Sequence, residues 1–307
     1  MNITKETRIY VAGCGGMLGE AVYNHFSPIA ELMVTDIDTN ERWLDYADVR
    51  DYSSISHSIE EFQPHIIFNL AALTDLEECE NNKENAWLTN GLGAENLALS
   101  SLKHNATLVH ISTAGIFDGK KEYYSDFDIP NPMGTYAKSK HYAEIIVSRE
   151  LKKYYVARAG WMMGGGPRKD KKFINKLYKQ ICQGHKELNV VDDKLGTPTY
   201  TVDFAKGLQT LLESDQYGIY NQVCGGSGSR YDVAVEFVKL MGLDDKISIN
   251  KVSSEFFKEE YFAPRPESEK LVNTKLDARG LNVMRDWRVC LREYSKIFLE
   301  DYNNKYK

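Results

Sequence analysis

Cysteine, basic blocks and long apolar runs are all scarce in this chain, and each scarcity closes off a class of protein. The five cysteines, at positions 14, 79, 182, 224 and 290, are odd in number and widely scattered. Such spacing fits neither a disulfide framework nor a zinc site, so no metal is expected and a reducing cytoplasm is the simplest setting. No apolar run is long enough to span a membrane, and the polar start Met1-Asn2-Ile3-Thr4-Lys5-Glu6 does not read as a signal peptide. Lysine and arginine total 38 against 44 acidic residues, for a net charge of −6. With no basic block, nucleic-acid binding has no support. The densest basic run, Arg168-Lys169-Asp170-Lys171-Lys172, is expected to be a solvated helix start, with a phosphate contact as the alternative. Repeats and low-complexity tracts are missing too. What remains is a chain of 307 residues, 42% hydrophobic and 27% charged, with the composition of a globular enzyme.

The first motif lies near the N-terminus. Arg8-Ile9-Tyr10-Val11-Ala12 reads as a buried strand, followed by Gly13-Cys14-Gly15-Gly16-Met17-Leu18-Gly19 and then by a helical pattern through Phe26. A strand, a glycine turn and a helix in that order form the setting of a dinucleotide site. Gly13 suits a tight turn, Gly16 a close approach of backbone to pyrophosphate, and Gly19 close packing of helix on strand. Met17 and Leu18 begin the helix whose free N–H groups would face the phosphates. A second strand, Leu32–Thr35, ends at Asp36. A carboxylate here accepts hydrogen bonds from ribose hydroxyls and repels a 2′-phosphate, so NADH is favoured over NADPH. A solvated loop carboxylate is the alternative.

Further along, Tyr136 and Lys140 are spaced Tyr-x-x-x-Lys, one helical turn apart. An ammonium beside a phenol is expected to draw the phenol pKa down from about 10 toward the working range. The strand at 107–111 runs into Ser112-Thr113. Ligands of open α/β sheets bind at the carboxyl ends of strands, so Thr113 can donate a hydrogen bond to a substrate carbonyl while Tyr136 supplies a proton. The alternative for Ser112-Thr113 is a helix cap or turn.

Strands and helices alternate through the first half: helix 52–62, strand 65–72, a long helix 79–104, strand 107–111, a helix from Tyr136 to about Leu151, and strand 154–158. This predicts an α/β fold, a Rossmann-type doubly wound parallel sheet. Residues 1–160 are expected to form the NAD(P)-binding domain, with returning segments near 190–222. Residues 161–307 are expected to form mainly a smaller, interleaved α/β substrate lobe, with helices near 170–183, 201–213 and 231–241.

In family order, these motifs resemble the extended short-chain dehydrogenase/reductases and most closely the dTDP-4-dehydrorhamnose reductases. The resemblance rests on the glycine turn, on Asp48-Val49, on Asn69-Leu70-Ala71-Ala72-Leu73-Thr74-Asp75, and on Asn90 through Leu97. It continues in His110 through Thr113, Phe117-Asp118-Gly119, Tyr136 through Lys140, Val191 through Tyr200, Arg265-Pro266 and Met284 through Arg288. It implies NADH- or NADPH-dependent reduction of a 4-keto-6-deoxy sugar on a nucleotide diphosphate, as in dTDP-rhamnose biosynthesis, and a possible homodimer. Asp48 and Val49 would read the adenine edge, and Ala71 and Ala72 would lie over the nicotinamide side. Lys140 would anchor the nicotinamide ribose. Thr74, Trp161, Thr197 and Arg265 would meet nucleotide and sugar, Arg265 because its fork suits two phosphate oxygens. An ordinary surface Arg and an ordinary core Trp are the plainer readings of Arg265 and Trp161.

The chain departs from the family after Thr113, where an acidic and an aromatic residue are usual and Ala114-Gly115 stand instead. Related 4,6-dehydratases carry Asp-Glu there to eliminate water, so dehydration is disfavoured. A nucleotide-sugar 4-epimerase needs only the Tyr/Lys pair and remains an alternative. So does a non-catalytic dinucleotide-binding subunit similar to the regulatory subunit of a methionine adenosyltransferase.

Overall fold

The structure, a computed structural model, describes residues 1–39 and 41–306. Six strands of a central sheet come first: β1 (Arg8–Ala12), β2 (Glu31–Asp36), β3 (Asp45–Tyr46), β4 (Ile66–Asn69), β5 (Thr107–Thr113) and β6 (Tyr154–Ala159). Four short strands follow, β7 (Trp161–Met163), β8 (Glu187–Val191), β9 (Leu195–Gly196) and β10 (Pro198–Tyr200). The chain then returns to the sheet as β11 (Gly218–Asn221), and the order across it is β11-β6-β5-β4-β1-β2-β3. Every pairing in this sheet is parallel. This is the expected Rossmann-type doubly wound fold. Parallel strands are covered on both faces, so β1 and β4 are apolar and buried nearly throughout.

One face of the sheet packs Val22 and Phe26 of helix Met17–Phe26 and Phe204 and Leu208 of helix Thr201–Ser214 into a common core. The opposite face buries Ile55, Ile59, Leu97, Ala98 and Val147. A third core, around Trp287, Phe237, Tyr294 and Phe298, holds the C-terminal lobe together. That lobe adds β12 (Gly228–Ser229), β13 (Ser248–Val252) and β14 (Ser268–Glu269); β13 pairs with β8, while β12 and β14 flank β9. Its helix Arg230–Leu240 begins at a reciprocal cap, in which Ser229 and Asp232 each accept from the other's backbone N–H.

Three sequence expectations are corrected. The single helix 79–104 is instead Leu76–Asn81, Lys83–Trp87, a wide π turn Leu88–Leu92, and Gly93–Lys103. Asn82 breaks it: its backbone leaves the helical region and its side chain accepts from Asn85 N–H, starting a new helix. Strand 65–72 stops at Asn69, which frees Leu70–Asp75 to cross the top of the sheet. The helix placed at 170–183 starts at Phe173, after a short turn Gly166–Lys169. Asp170 interrupts it, buried and bonded to Lys172 N–H at 2.6 Å and to the Tyr294 hydroxyl at 2.9 Å.

Candidate active site

Sheet and lobe enclose a cleft of about 1630 Å³ along the carboxyl ends of the strands. The glycine turn forms its floor. Gly13 has φ +76, and a Cβ there would lie 2.3 Å from Ala71 N, so the turn and the 70–75 loop are in backbone contact. At Gly19 a Cβ would lie 2.0 Å from the Cys14 carbonyl, which fixes how closely helix Met17–Phe26 meets β1. No side chain caps that ten-residue helix, so its first N–H groups are available to an anion. These features fit a dinucleotide pyrophosphate. Gly13, Gly16, Met17, Leu18, Asp36, Asp48, Val49, Ala71 and Ala72 all line the cleft. Asp36 accepts from Gly15 N–H at 2.8 Å and from Asp38 N–H at 3.0 Å. Asp48 is held by the Arg50 guanidinium at 2.6–3.0 Å, which keeps its carboxyl below the usual range.

Thr113 ends β5, and Tyr136 and Lys140 stand in the first turns of helix Thr135–Glu150; all three line the cleft. The Thr113 hydroxyl accepts from Gly115 N–H at 3.1 Å. Tyr136 overturns one expectation. Burial pushes its pKa up to about 12, opposed by a hydrogen bond with Thr113 and reinforced by the charges of Cys79 and Glu269. The phenol is therefore protonated at neutral pH, the ammonium of Lys140 one turn away notwithstanding. Lys140 is itself lowered to about 8 by burial, with the Glu144 carboxylate pulling the other way. Desolvation dominates both groups, because the sheet end and the helix leave them little water.

Lys140 Nζ lies 3.2 Å from His110 Nε2, and the Asn69 amide lies 3.0 Å from His110 Nδ1. Burial and the Lys140 charge keep His110 neutral. With Lys140 charged, Nε2 must accept and the proton sits on Nδ1, which requires the Asn69 amide, placed with Nδ2 toward the ring and Oδ1 unpartnered, to be turned over. Beneath lies a buried ion pair, with Arg158 forked onto Glu144 at 2.9 and 2.8 Å. Asn90, in the π turn, accepts from Leu73 N–H at 2.8 Å and donates to Leu73 O and the Ser139 hydroxyl, each at 3.1 Å.

The residues expected at the substrate end divide. Trp161 and Thr74 line the cleft, Thr74 accepting from Lys172 Nζ at its hydroxyl and its carbonyl. Arg265 lines it as well, but its fork is closed on Glu77 at 2.7 and 2.8 Å. Thr197 is fully buried outside the cleft wall: its carbonyl accepts from Trp161 N–H and its hydroxyl from Leu271 N–H, so it positions backbone. The basic run at 168–172 is not a solvated helix start. Lys169 is buried, with Nζ 3.1 Å from Glu41 and 3.3 Å from the Gly15 carbonyl, and Arg168 pairs with Glu20 and Glu41.

Two cleft residues went unnoticed in the sequence. Arg230 stacks over Trp161 at 3.6 Å and forms no hydrogen bond among the described residues. Burial lowers it to about 10, against the pull of Glu269, so it stays cationic. Glu269 accepts from the Trp161 indole N–H at 2.6 Å. Neither carries a local signal, since both reach the site from the lobe, ninety or more residues beyond Lys140. Among the described residues no cluster of His, Cys, Asp and Glu is placed to hold a metal, and no helix is long and apolar enough to cross a membrane.

This chain matches the RmlD substrate binding domain over residues 7–299. It belongs to that family. It is 32% identical to the spore coat polysaccharide biosynthesis protein SpsK of Bacillus subtilis, over 94% of this chain and 96% of the relative. It is 30% identical to a dTDP-4-dehydrorhamnose reductase of Mycobacterium tuberculosis, covering 94% of this chain and 92% of that one. Among solved structures, the dTDP-4-dehydrorhamnose reductase of Bacillus anthracis in complex with NADP superposes with a TM-score of 0.86. That match is 27% identical and covers 94% of this chain and 98% of that one.

Proposed function

We propose that this chain is an NAD(P)H-dependent reductase of a dTDP-linked 4-keto-6-deoxy sugar. The observation that carries the reading is the convergence of Thr113, protonated Tyr136 and Lys140 on the cleft that also contains the glycine turn. When bound, the reduced nicotinamide supplies a hydride to C4. The Tyr136 phenol gives its proton to the developing alkoxide, which a group with a pKa near 12 does readily once negative charge builds on the sugar oxygen. Thr113 donates to the same oxygen and orients it. Lys140, charged below pH about 8, offsets the phenolate left behind and anchors the ribose.

The glycine turn, Asp36, Asp48, Val49, Ala71 and Ala72 hold the dinucleotide. Asp36 favours NADH by repelling a 2′-phosphate. Trp161 and Thr74 frame the nucleotide sugar. Arg230 meets the diphosphate, because it is a cation with no partner carboxylate in hydrogen-bond contact, whereas Arg265 is committed to Glu77. The acid–base set favours an enzyme over a dinucleotide-binding partner protein.

The test follows absorbance of reduced nicotinamide over a panel of dTDP-4-keto sugars, with NADH and NADPH in parallel. Oxidation with a 4-keto-6-deoxy sugar is expected. Binding of dinucleotide without oxidation by any panel member would reject the reductase. Interconversion of C4 epimers without added cofactor would point to an epimerase.

A further inference from the structure

We propose that Glu269 selects the sugar, accepting a hydrogen bond from a hydroxyl or ammonium group at C3, the carbon beside the reacting carbonyl. This rests on the reductase reading above for the pose of the sugar. The space for it comes from Gly115. A Cβ built there would lie 3.2 Å from Glu269 Oε1 and 3.4 Å from Thr113 Oγ1, so the carboxylate and the catalytic hydroxyl flank one point of the cleft wall. A side chain at 115 would crowd the carboxylate, which would have to give by a few tenths of an ångström even for a methyl. The acidic group missing after Thr113 is thus replaced by one delivered from the lobe.

The carboxylate is held rather than free to swing. Its Oε2 accepts from the Trp161 indole at 2.6 Å, and Trp161 is pinned between the Arg230 guanidinium at 3.6 Å and Gly196, where a Cβ would lie 2.3 Å from the ring. Glu269 pairs in parallel register with Gly196, so strand β14 sets its height in the cleft. Oε1 has no hydrogen-bond partner among the described residues and lines the cleft. Its charge reaches Tyr136 and Arg230, which puts it among the reacting groups.

The chemistry of the sugar then narrows the contact. With the C4 oxygen between Thr113 and Tyr136, the flanking substituents belong to C3 and C5. A 6-deoxy sugar carries a methyl on C5, which offers a carboxylate nothing. C3 carries the donor.

The experiment measures binding, so it is readable whether or not the protein reduces anything. Calorimetric affinities of the full chain are compared for dTDP-6-deoxyhexoses bearing hydroxyl, amino or no substituent at C3, with dTDP as reference. Wild type is expected to prefer the hydroxyl and amino sugars over the 3-deoxy sugar by about tenfold or more, as for a hydrogen bond to a charged group. Glu269→Ala should bring all three within about threefold of one another, each read relative to the dTDP affinity of the same variant. Glu269→Gln keeps the acceptor for Trp161 and the volume, and should lose the preference for the amino sugar tenfold or more. A preference that survives both variants, or an equal weakening of all three sugars, overturns the proposal. Turnover recorded on the same samples judges the reductase reading separately.

Discussion

A Lys140→Met variant of the ligand-free protein should lose stability relative to wild type as the pH rises from neutral into alkali. Burial takes Lys140 from 10.5 to about 8. The fold therefore holds this proton more weakly than the unfolded chain by about 3 kcal/mol, at about 1.4 kcal/mol per pH unit. Below pH about 8 both states are protonated and the whole penalty stands. Between pH about 8 and 10.5 the unfolded chain binds more protons than the fold, so the wild type becomes more stable as pH rises, and above 10.5 no penalty remains. Methionine fills a similar volume and has no proton to lose. It does leave His110 Nε2, 3.2 Å from Nζ in the wild type, without a partner, at a cost of about 1–3 kcal/mol that varies little over this range. The absolute difference at pH 7 is therefore small. The variant-minus-wild-type stability is what should move, falling by about 3 kcal/mol between pH 7 and pH 10.5. Urea unfolding at several pH values, with equal slopes for the two proteins, measures it. A difference that stays constant within about 0.5 kcal/mol over that range would refute the argument that desolvation dominates at Lys140.

Tyr136→Phe should lower kcat by ~10²–10⁴ through loss of a positioned acid, with dinucleotide affinity by fluorescence titration unchanged; full activity rejects Tyr136 as the proton donor. Glu144→Gln removes the carboxylate that pulls Lys140 upward, so the alkaline fall of kcat/KM should begin below pH about 8. The same change strands the buried Arg158 and should destabilise by about 3–5 kcal/mol in urea unfolding; an unmoved limb would show that Glu144 does not act on Lys140. Gly13→Ala places a methyl 2.3 Å from Ala71 N at a φ of +76, so dinucleotide should no longer raise the thermal midpoint. A normal rise would mean that the turn is not the cofactor floor.

The sheet and the glycine-turn end of the cleft were legible because their signals are local. Strand, glycine turn and helix follow one another within twenty residues, and the backbone contact of Gly13 with Ala71 leaves no room for another residue type. The substrate end was legible only in part. Arg265 looked like a free fork because its partner, Glu77, lies 188 positions away. Thr197 lies between β9 and β10 in a stretch, 196–200, that is buried throughout, and nothing local in the sequence marks that stretch as core rather than cleft wall. Arg230 and Glu269 matter through Trp161 and Gly115, contacts that exist only after the lobe has folded over the sheet. The acidity of Tyr136 was misjudged for a related reason. A sequence shows the neighbouring charge but not the water that burial removes.

The π turn at Leu88–Leu92 bears on how the family can vary. Asn90 ties the 70–75 loop to Ser139, whose hydroxyl bonds the Tyr136 carbonyl at 2.9 Å. Its reach depends on the extra residue that the wide turn accommodates. Deleting one residue there would close the wide turn to a regular one and shift the register of Asn90 against Leu73 and Ser139. Substitutions in this stretch are thus a milder change than a change of its length. A relative with a gap opposite residues 88–92 would have to join that loop to the helix bearing its Tyr and Lys by other contacts than those of Asn90 here.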